Sequence, residues 1–333
     1  MRPDDVTVVV PVCDEGATVG AALESLAAQT IGAASIEVLV YDGGSVDDTV
    51  AICRSFADRH PWRRFEVLHN SARTVPHALN AGLAASSCEW FTRLDGRTRL
   101  SPGYLAGCLE ALRKPDAATA AGGAFVAEAT GATAESIAAA VTHPFGIGRG
   151  FRTETAATDV PHHPFAVWRT ADVLRFGGFD SSLTRNQDDE FSMRAAGHGA
   201  RIVLVPEVAV HYRPRERMRG LAAQYFQYGL WKSAVARRHG LFPRRSLVPA
   251  LALLGAGGAV ALAATGRTAL PACAVAAGYA ALGAAASRAR PGASPFATTA
   301  ALATVHLTYG LGVIAGALRP GLTAGRAGSA RVR

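Results

Sequence analysis

Val6-Thr7-Val8-Val9-Val10-Pro11-Val12 and, thirty positions on, Ile36-Glu37-Val38-Leu39-Val40-Tyr41 decide the fold. Each run is rich in β-branched residues, too short for a helix and bounded by polar turns, which is how buried strands read. Between them, Thr18 to Ala28 sets Val19, Ala22, Leu23 and Leu26 at helical spacing, so the order is strand, helix, strand. Further on, Thr49 to Ala57 supplies a second helix, Val67-Leu68 a third strand, Pro76 to Ala85 a third helix and Trp90 to Leu94 a fourth strand. This alternation predicts an α/β fold with a parallel, helix-covered sheet. Ligands of such sheets gather at the carboxyl ends of the strands, which puts a site near residues 12, 42, 70 and 95.

Beyond residue 115 the chain is rich in Ala, Gly and Thr, with a strand expected at Ala121 to Glu128 and an irregular stretch from Gly146 to Thr158. A helix is expected from Asp188 to Ala196 and a strand from Ile202 to Val205. Arg213 to Arg238 is basic and carries Tyr225, Phe226, Tyr228 and Trp231, the pattern of an interfacial amphipathic helix or of a helix that closes a domain. Three uncharged stretches follow, Ser246 to Gly266, Thr268 to Ser287 and Pro291 to Leu318, each long enough to cross a bilayer. Two or three crossings fit, and three is the reading taken. Arg244, Arg245, Arg288 and Arg290 then satisfy the positive-inside rule, while Arg319, Arg326, Arg331 and Arg333 fall on the other side.

The charge distribution agrees. All 26 acidic residues lie at or before Glu216 together with 20 Lys or Arg, and the other 14 basic residues follow it. Arginines scattered between apolar runs read as membrane-flanking charges, so no nucleic-acid partner is expected. The five cysteines, Cys13, Cys53, Cys88, Cys108 and Cys273, form no CxxC pair and are odd in number, against both a zinc site and a disulfide framework. The first residues lack the apolar core and cleavage site of a secretory signal, so the body is expected in the cytoplasm.

The ordered motifs go further. Val8 to Glu15, Gln29-Thr30 and Val40-Tyr41-Asp42-Gly43-Gly44-Ser45-Val46-Asp47-Asp48-Thr49 resemble the opening of inverting family 2 glycosyltransferases of the GT-A fold. Asn80-Ala81-Gly82, Asp95, Gly177-Gly178-Phe179-Asp180, Asp188-Asp189-Glu190-Phe191 and Gln224 to Trp231 continue that resemblance in order, over residues 6 to 232. Within the family the chain is similar to membrane-anchored, succinoglycan-type exopolysaccharide glycosyltransferases. The resemblance implies a GT-A, Rossmann-like nucleotide-sugar-binding domain over residues 1–212 and an interfacial helical segment over 213–245. Transmembrane helices over 246–320 and a basic tail over 321–333 complete it.

It also implies site residues. Asp42 at a strand end can accept hydrogen bonds from a nucleobase or ribose, with Gly44 and Ser45 turning closely beneath; a plain Asx turn is the other reading. Pro11, Asp14 and Glu15 resemble the turn beside the base, and Arg73 and Asn80 would face the diphosphate and ribose. Asp95 stands where the family carries Asp-x-Asp, holding Mg2+ or Mn2+ across the diphosphate. Here the run is Asp95-Gly96-Arg97, so Arg97 replaces the second carboxylate and would meet phosphate as a fixed charge. His211 resembles a downstream metal-ligating histidine. Asp188 matches the aspartate that takes the acceptor hydroxyl's proton, and Asp189, Gln224 and Trp231 would lie on the acceptor or product side. His162-His163 reads either as an acceptor-cleft wall or as a surface pair.

The implied activity is transfer of a sugar from a nucleotide-diphosphate sugar to a lipid-linked or glycan acceptor at the cytoplasmic face of the inner membrane, in envelope or exopolysaccharide synthesis. A polyprenyl-phosphate glycosyltransferase and a non-catalytic nucleotide-sugar-binding scaffold are the alternatives. Donor, acceptor lipid and membrane lipid are the expected partners.

Overall fold

The structure, a computed structural model, describes residues 4–114, 117–147, 150–154, 156–240, 244–319 and 321. It resolves into two compact units, one built from residues up to 126 together with 150–212, the other from 127–149 and the chain after 212.

In the first unit, strands β1 (Val6–Val12), β2 (Ile36–Asp42), β3 (Arg64–His69) and β4 (Trp90–Arg93) lie in the order β3-β2-β1-β4, all parallel. Helices α1 (Val19–Ala27), α2 (Thr49–Ala57) and α3 (Val75–Ala85) make the crossovers. Successive β1 side chains alternate between two cores, as the period of a strand requires. Val8 and Val10 join Leu23, Val38, Trp90 and Tyr104 on one face, and Val9 joins Leu39, Leu79, Phe91 and Phe179 on the other. Helix α3 comes so close to β1 that a Cβ on Gly82 would stand 2.2 Å from Val9 Cγ2, so only glycine fits there. Val12 is in register with Asp42, and Asp42 with His69. The strand ends thus line one edge.

The all-parallel expectation fails beyond β4. Strands β5 (Thr98–Leu100), β6 (Ala120–Ala127), β7 (Val167–Arg169) and β8 (Ile202–Tyr212) extend the sheet as β4-β7-β6-β8-β5, with antiparallel pairing wherever the register is defined. After β4 the chain turns tightly, Thr98 N–H donating to Asp95 O (2.9 Å), and leads into β5, which pairs with β8 at the far edge of the sheet, while β7 takes the place beside β4. Helices α4 (Tyr104–Leu112), α7 (Thr170–Arg175) and α8 (Gln187–Gly197) complete this unit.

The second unit is helical: α5 (Ala132–Val141), α6 (Pro144–Ile147), α9 (Met218–His239), α10 (Arg244–Ala264), α11 (Leu270–Ser287) and α12 (Pro295–Ala317). Helices α11 and α12 are long and apolar enough to cross a membrane, with mean hydropathies of 1.4 and 1.5. Helix α10 covers most of the first expected span, opening on Arg244 and Arg245 and continuing through the uncharged run from Ser246 to Ala264. The basic tail expected over 321–333 lies, apart from Gly321, outside the described residues.

Helix α9 meets α12 backbone to backbone. A Cβ on Gly229 would fall 2.1 Å from Tyr309 O, one on Gly312 2.2 Å from Phe226 O, and one on Gly316 2.4 Å from Leu230 O. Small residues let helices approach this closely. Ser233 Oγ then donates to Val313 O (2.9 Å), and Arg237 donates to the terminal carbonyl of Gly316 (3.0 Å). At the far end of α12, Arg290 pairs with Glu135 of α5 (2.5 Å) and donates to Ala127 O (2.8 Å).

Gly312→Leu forces the two helices apart. We expect a loss of about 1–3 kcal/mol or more in the stability of the detergent-solubilised chain, read from its unfolding midpoint, while Gly257→Leu, with open space around it, stays near wild type.

Candidate active site

The loops leaving β1 and β2 are stitched together. Asp14, in the left-handed region at φ 53°, donates its N–H to Ser45 Oγ (2.9 Å) and accepts from Val46 N–H at Oδ1 (2.9 Å). Glu15 N–H donates to Thr49 Oγ1 (2.8 Å), and Gly16 N–H to Asp47 Oδ2 (2.9 Å). These bonds fix the cleft's rim before any ligand arrives. Pro11 sits inside β1, opposite Tyr41.

Asp42 takes the Asx-turn reading. Its buried carboxylate accepts Gly44 N–H (3.0 Å), Ser45 N–H (3.1 Å) and Ser45 Oγ–H (2.6 Å), and so shapes the loop instead of reaching outward. Gly44 needs its φ of +87°, and it also needs to be bare: the Arg73 guanidinium lies flat on it, 3.2 Å from where a Cβ would stand. Arg73, itself at φ 55°, is thereby held exposed over the loop.

Asn80 departs from its expected place at the diphosphate and ribose. It clamps the Gly177–Asp180 turn, accepting from Phe179 N–H (2.8 Å) and donating to Phe179 O (2.6 Å). Arg194 holds the same turn through Gly178 O (2.7 Å) while pairing with buried Glu190 (2.9 Å). Gly177 and Gly178 have φ of +83° and +64°, so the motif is a shaped hinge point leading into α8.

At the edge of the sheet, Asp95 accepts from Arg93 Nη2 at Oδ2 (3.2 Å), and its Oδ1 has no partner among the described residues. Arg97 stands 3.9 Å from Glu15, bringing the β1 loop and the Asp95 turn together; a Cβ on Gly96 would touch Val12 and Glu15 at 3.1 and 3.2 Å. His211 lies on β8 opposite Arg99 of β5. Among the described residues no three His, Cys, Asp or Glu side chains gather into a metal site. A hard cation shared between one carboxylate and substrate phosphates still suits the open oxygen of Asp95.

Asp188 occupies the first turn of α8, where Asp189 N–H donates to its Oδ1 (3.0 Å) and negative charge is favoured. Burial works to raise its carboxyl, but the charges of His162 and then Arg93, with the backbone donors, outweigh that and hold it below the usual carboxylate range. Asp188 is therefore held in its ionised form. Asp189 follows it on the same turn.

Two expectations are corrected by packing. Trp231 is fully buried, which removes it from the acceptor side, and half-buried Gln224 donates to Tyr228 OH (2.9 Å) on its own helix. His163 is buried between Gly123 O (2.9 Å) and Phe165 N–H (3.2 Å) and is a structural ring, whereas its neighbour His162 belongs to the Asp188 environment. Arg93 is the site residue that the sequence reading passed over. A charge closing the apolar strand Trp90-Phe91-Thr92 was the available signal.

The glycosyl transferase family 2 profile matches residues 7–172. The succinoglycan biosynthesis protein ExoA of Rhizobium meliloti (strain 1021) is 28% identical over 275 residues, covering 79% of this chain and 81% of that protein. A dolichyl N-acetyl-alpha-D-glucosaminyl phosphate 3-beta-D-2,3-diacetamido-2,3-dideoxy-beta-D-glucuronosyltransferase of Methanococcus voltae is 20% identical over 244 residues, 70% of this chain and 74% of its own. Among solved structures, the mannosyltransferase PcManGT of Pyrobaculum calidifontis, in complex with GDP-Man and Mn2+, superposes with a TM-score of 0.63 at 22% identity. That match covers 95% of this chain and 86% of the other, and the fold is GT-A.

Burial depresses the His163 ring to about 3, below its ordinary 6.5 in an unfolded chain. The neutral form is the folded one, so its contribution is full above pH 6.5 and is lost as pH falls from there toward 3. We expect stability to drop on acidification from pH 7 to 5 by up to about 1.4 kcal/mol per unit from this group. Denaturant midpoints of wild type and His163→Gln check it, the variant showing the shallower slope.

Proposed function

The chain belongs to glycosyl transferase family 2 through residues 7–172, and we propose that it is an inverting transferase working on a lipid-linked acceptor at the cytoplasmic face of a membrane, in exopolysaccharide or envelope synthesis. The observation that carries the reading is Asp188, a carboxylate kept ionised at a helix N-terminus and joined through Arg93 to the strand-end carboxylate Asp95. An inverting transfer needs one base on the acceptor side and charge stabilisation on the leaving-group side.

The donor's nucleotide lies over the Asp14 and Gly44–Ser45 rim, with its diphosphate toward Arg73, Asp95 and Arg97. Arg73 and Arg97 meet the phosphates as fixed charges. Mg2+ or Mn2+, when bound, neutralises negative charge on the diphosphate, and Asp95 with His211 are the residues that would hold it. Asp188 accepts the proton of the acceptor hydroxyl as that oxygen bonds to the anomeric carbon. The bond from that carbon to the diphosphate oxygen breaks on the opposite face, and the configuration inverts.

The succinoglycan relative and the dolichyl-linked substrate in the Methanococcus relative's name support a glycan product built on a lipid. The apolar helices α11 and α12 support a membrane anchor.

Membranes containing the chain, incubated with a panel of UDP-, GDP- and dTDP-sugars, should consume one donor and yield a solvent-extractable glycolipid. Consumption of none refutes the reading. Asp188→Asn should leave donor affinity within about threefold and lower transfer by about 10²–10⁴-fold, because the amide keeps the shape and loses the basicity. Wild-type transfer removes Asp188 from this role. In cell fractionation the full chain should stay in the pellet through high salt and alkaline carbonate and dissolve only in detergent, and its release by carbonate overturns the membrane assignment.

A further inference from the structure

Arg93 closes β4, the strand between β1 and β7, and its side chain is only 10% exposed. Its guanidinium carbon lies 5.5 Å from the centre of the Phe165 ring, an arrangement that holds a cation in place while keeping water from one face. The two ends of the guanidinium face different acids. Nη2 stands 3.2 Å from Asp95 Oδ2, on the turn after the strand, and Nη1 stands 3.9 Å from Asp188 Oδ2, on α8. Asp95 and Asp188 are far apart in sequence and sit on unrelated elements, and this one side chain reaches both.

We propose that Arg93 is a positioning residue whose guanidinium fork spans Asp95 and Asp188 and fixes the separation between the donor-side carboxylate and the acceptor-side base. The inference rests on the reading of Asp188 as that base. Transfer needs the acceptor oxygen and the anomeric carbon in near-contact, and small misplacements are costly. A planar fork with five donors can serve two carboxylates at once, whereas a lysine ammonium is a single point charge. The charge also matters. Asp188 faces Arg93 from β4 and His162 from the segment before β7, with Asp189 and the Arg194-paired Glu190 beside it on α8. Losing Arg93 therefore leaves Asp188 easier to protonate.

The test uses the full chain in membranes with the donor that wild type consumes, and UDP and GDP as binding probes. Arg93→Met should bind the nucleotide within about threefold of wild type yet lose about 100-fold or more in kcat. The acid limb of its kcat/KM profile should move to higher pH, and that movement should persist in a His162→Gln background. Arg93→Lys should bring the acid limb back but leave kcat about tenfold or more below wild type, because charge returns without the fork. Should Arg93→Met fail to fold, Arg93→Lys alone decides. Wild-type kcat in Arg93→Lys, or a loss confined to nucleotide affinity or KM in either variant, overturns the proposal. Asp188→Asn is assayed alongside. Full activity there sinks the base assignment itself, whereas an inactive Asp188→Asn with wild-type Arg93 variants sinks only the role of Arg93.

Discussion

Parallel pairing of β1 with both β2 and β4 is the constraint on which the catalytic unit depends. Strands that run together end together, so the Asp14 turn, the Asp42 loop and the Asp95 turn are delivered to one edge by backbone hydrogen bonding alone. The residues between those loops then work to hold the edge still. Asp42 folds the Gly44–Ser45 turn, Asp14 and Asp47 bind that loop to the next, and Gly82 lets α3 press directly on β1. Polar groups that face the cleft are in this way stiffened by partners that do not.

Much of this was legible in the sequence. The first four strands and three helices fall within a residue or two of their expected bounds, except that β3 runs from Arg64 to His69 where only Val67-Leu68 stood out. The reason is physical: a strand buried on both faces is a continuous apolar run, and β1 and β2 are such runs, while β3 at the sheet edge is half-buried along its length. Past residue 115 the signal faded. Helix α5 is half alanine and buried nearly all round, so it has no amphipathic stripe to read, and β7 is three residues long. Strands β6 and β8 were expected, but the antiparallel pairing of this half of the sheet was not, because no hairpin turn announces it.

Site residues divided along a different line. Asp188 and Asp95, in the roles proposed for them, stand out in the sequence because a carboxylate in a fixed motif carries its chemistry in its type. Asn80, Asp42 and the two glycines before Phe179 stand in equally specific motifs, yet their polar atoms or backbone angles are consumed in shaping turns. A motif alone cannot tell contact with a substrate from support of the residue that makes it. Only the partners of each atom separate the two. Arg93 is the converse case, a residue outside the familiar pattern whose place becomes evident once the distances to Asp95 and Asp188 are known.

The bare contact of α9 with α12 bears on how such a protein can be produced. The strip of α9 around Gly229, with Leu230 and Ser233, is finished only when the α12 backbone lies against it. A shortened form that ends after α9, the usual route to a soluble catalytic fragment, would present that strip to solvent as a flat apolar seam with an open groove along it. Such a seam pairs readily with a second copy of itself. The useful place to divide this chain, for expression or for crystallisation, is therefore not the point where the apolar tail begins: the last helix is structurally a partner of the first helix after the sheet, and the two belong in the same fragment or in neither.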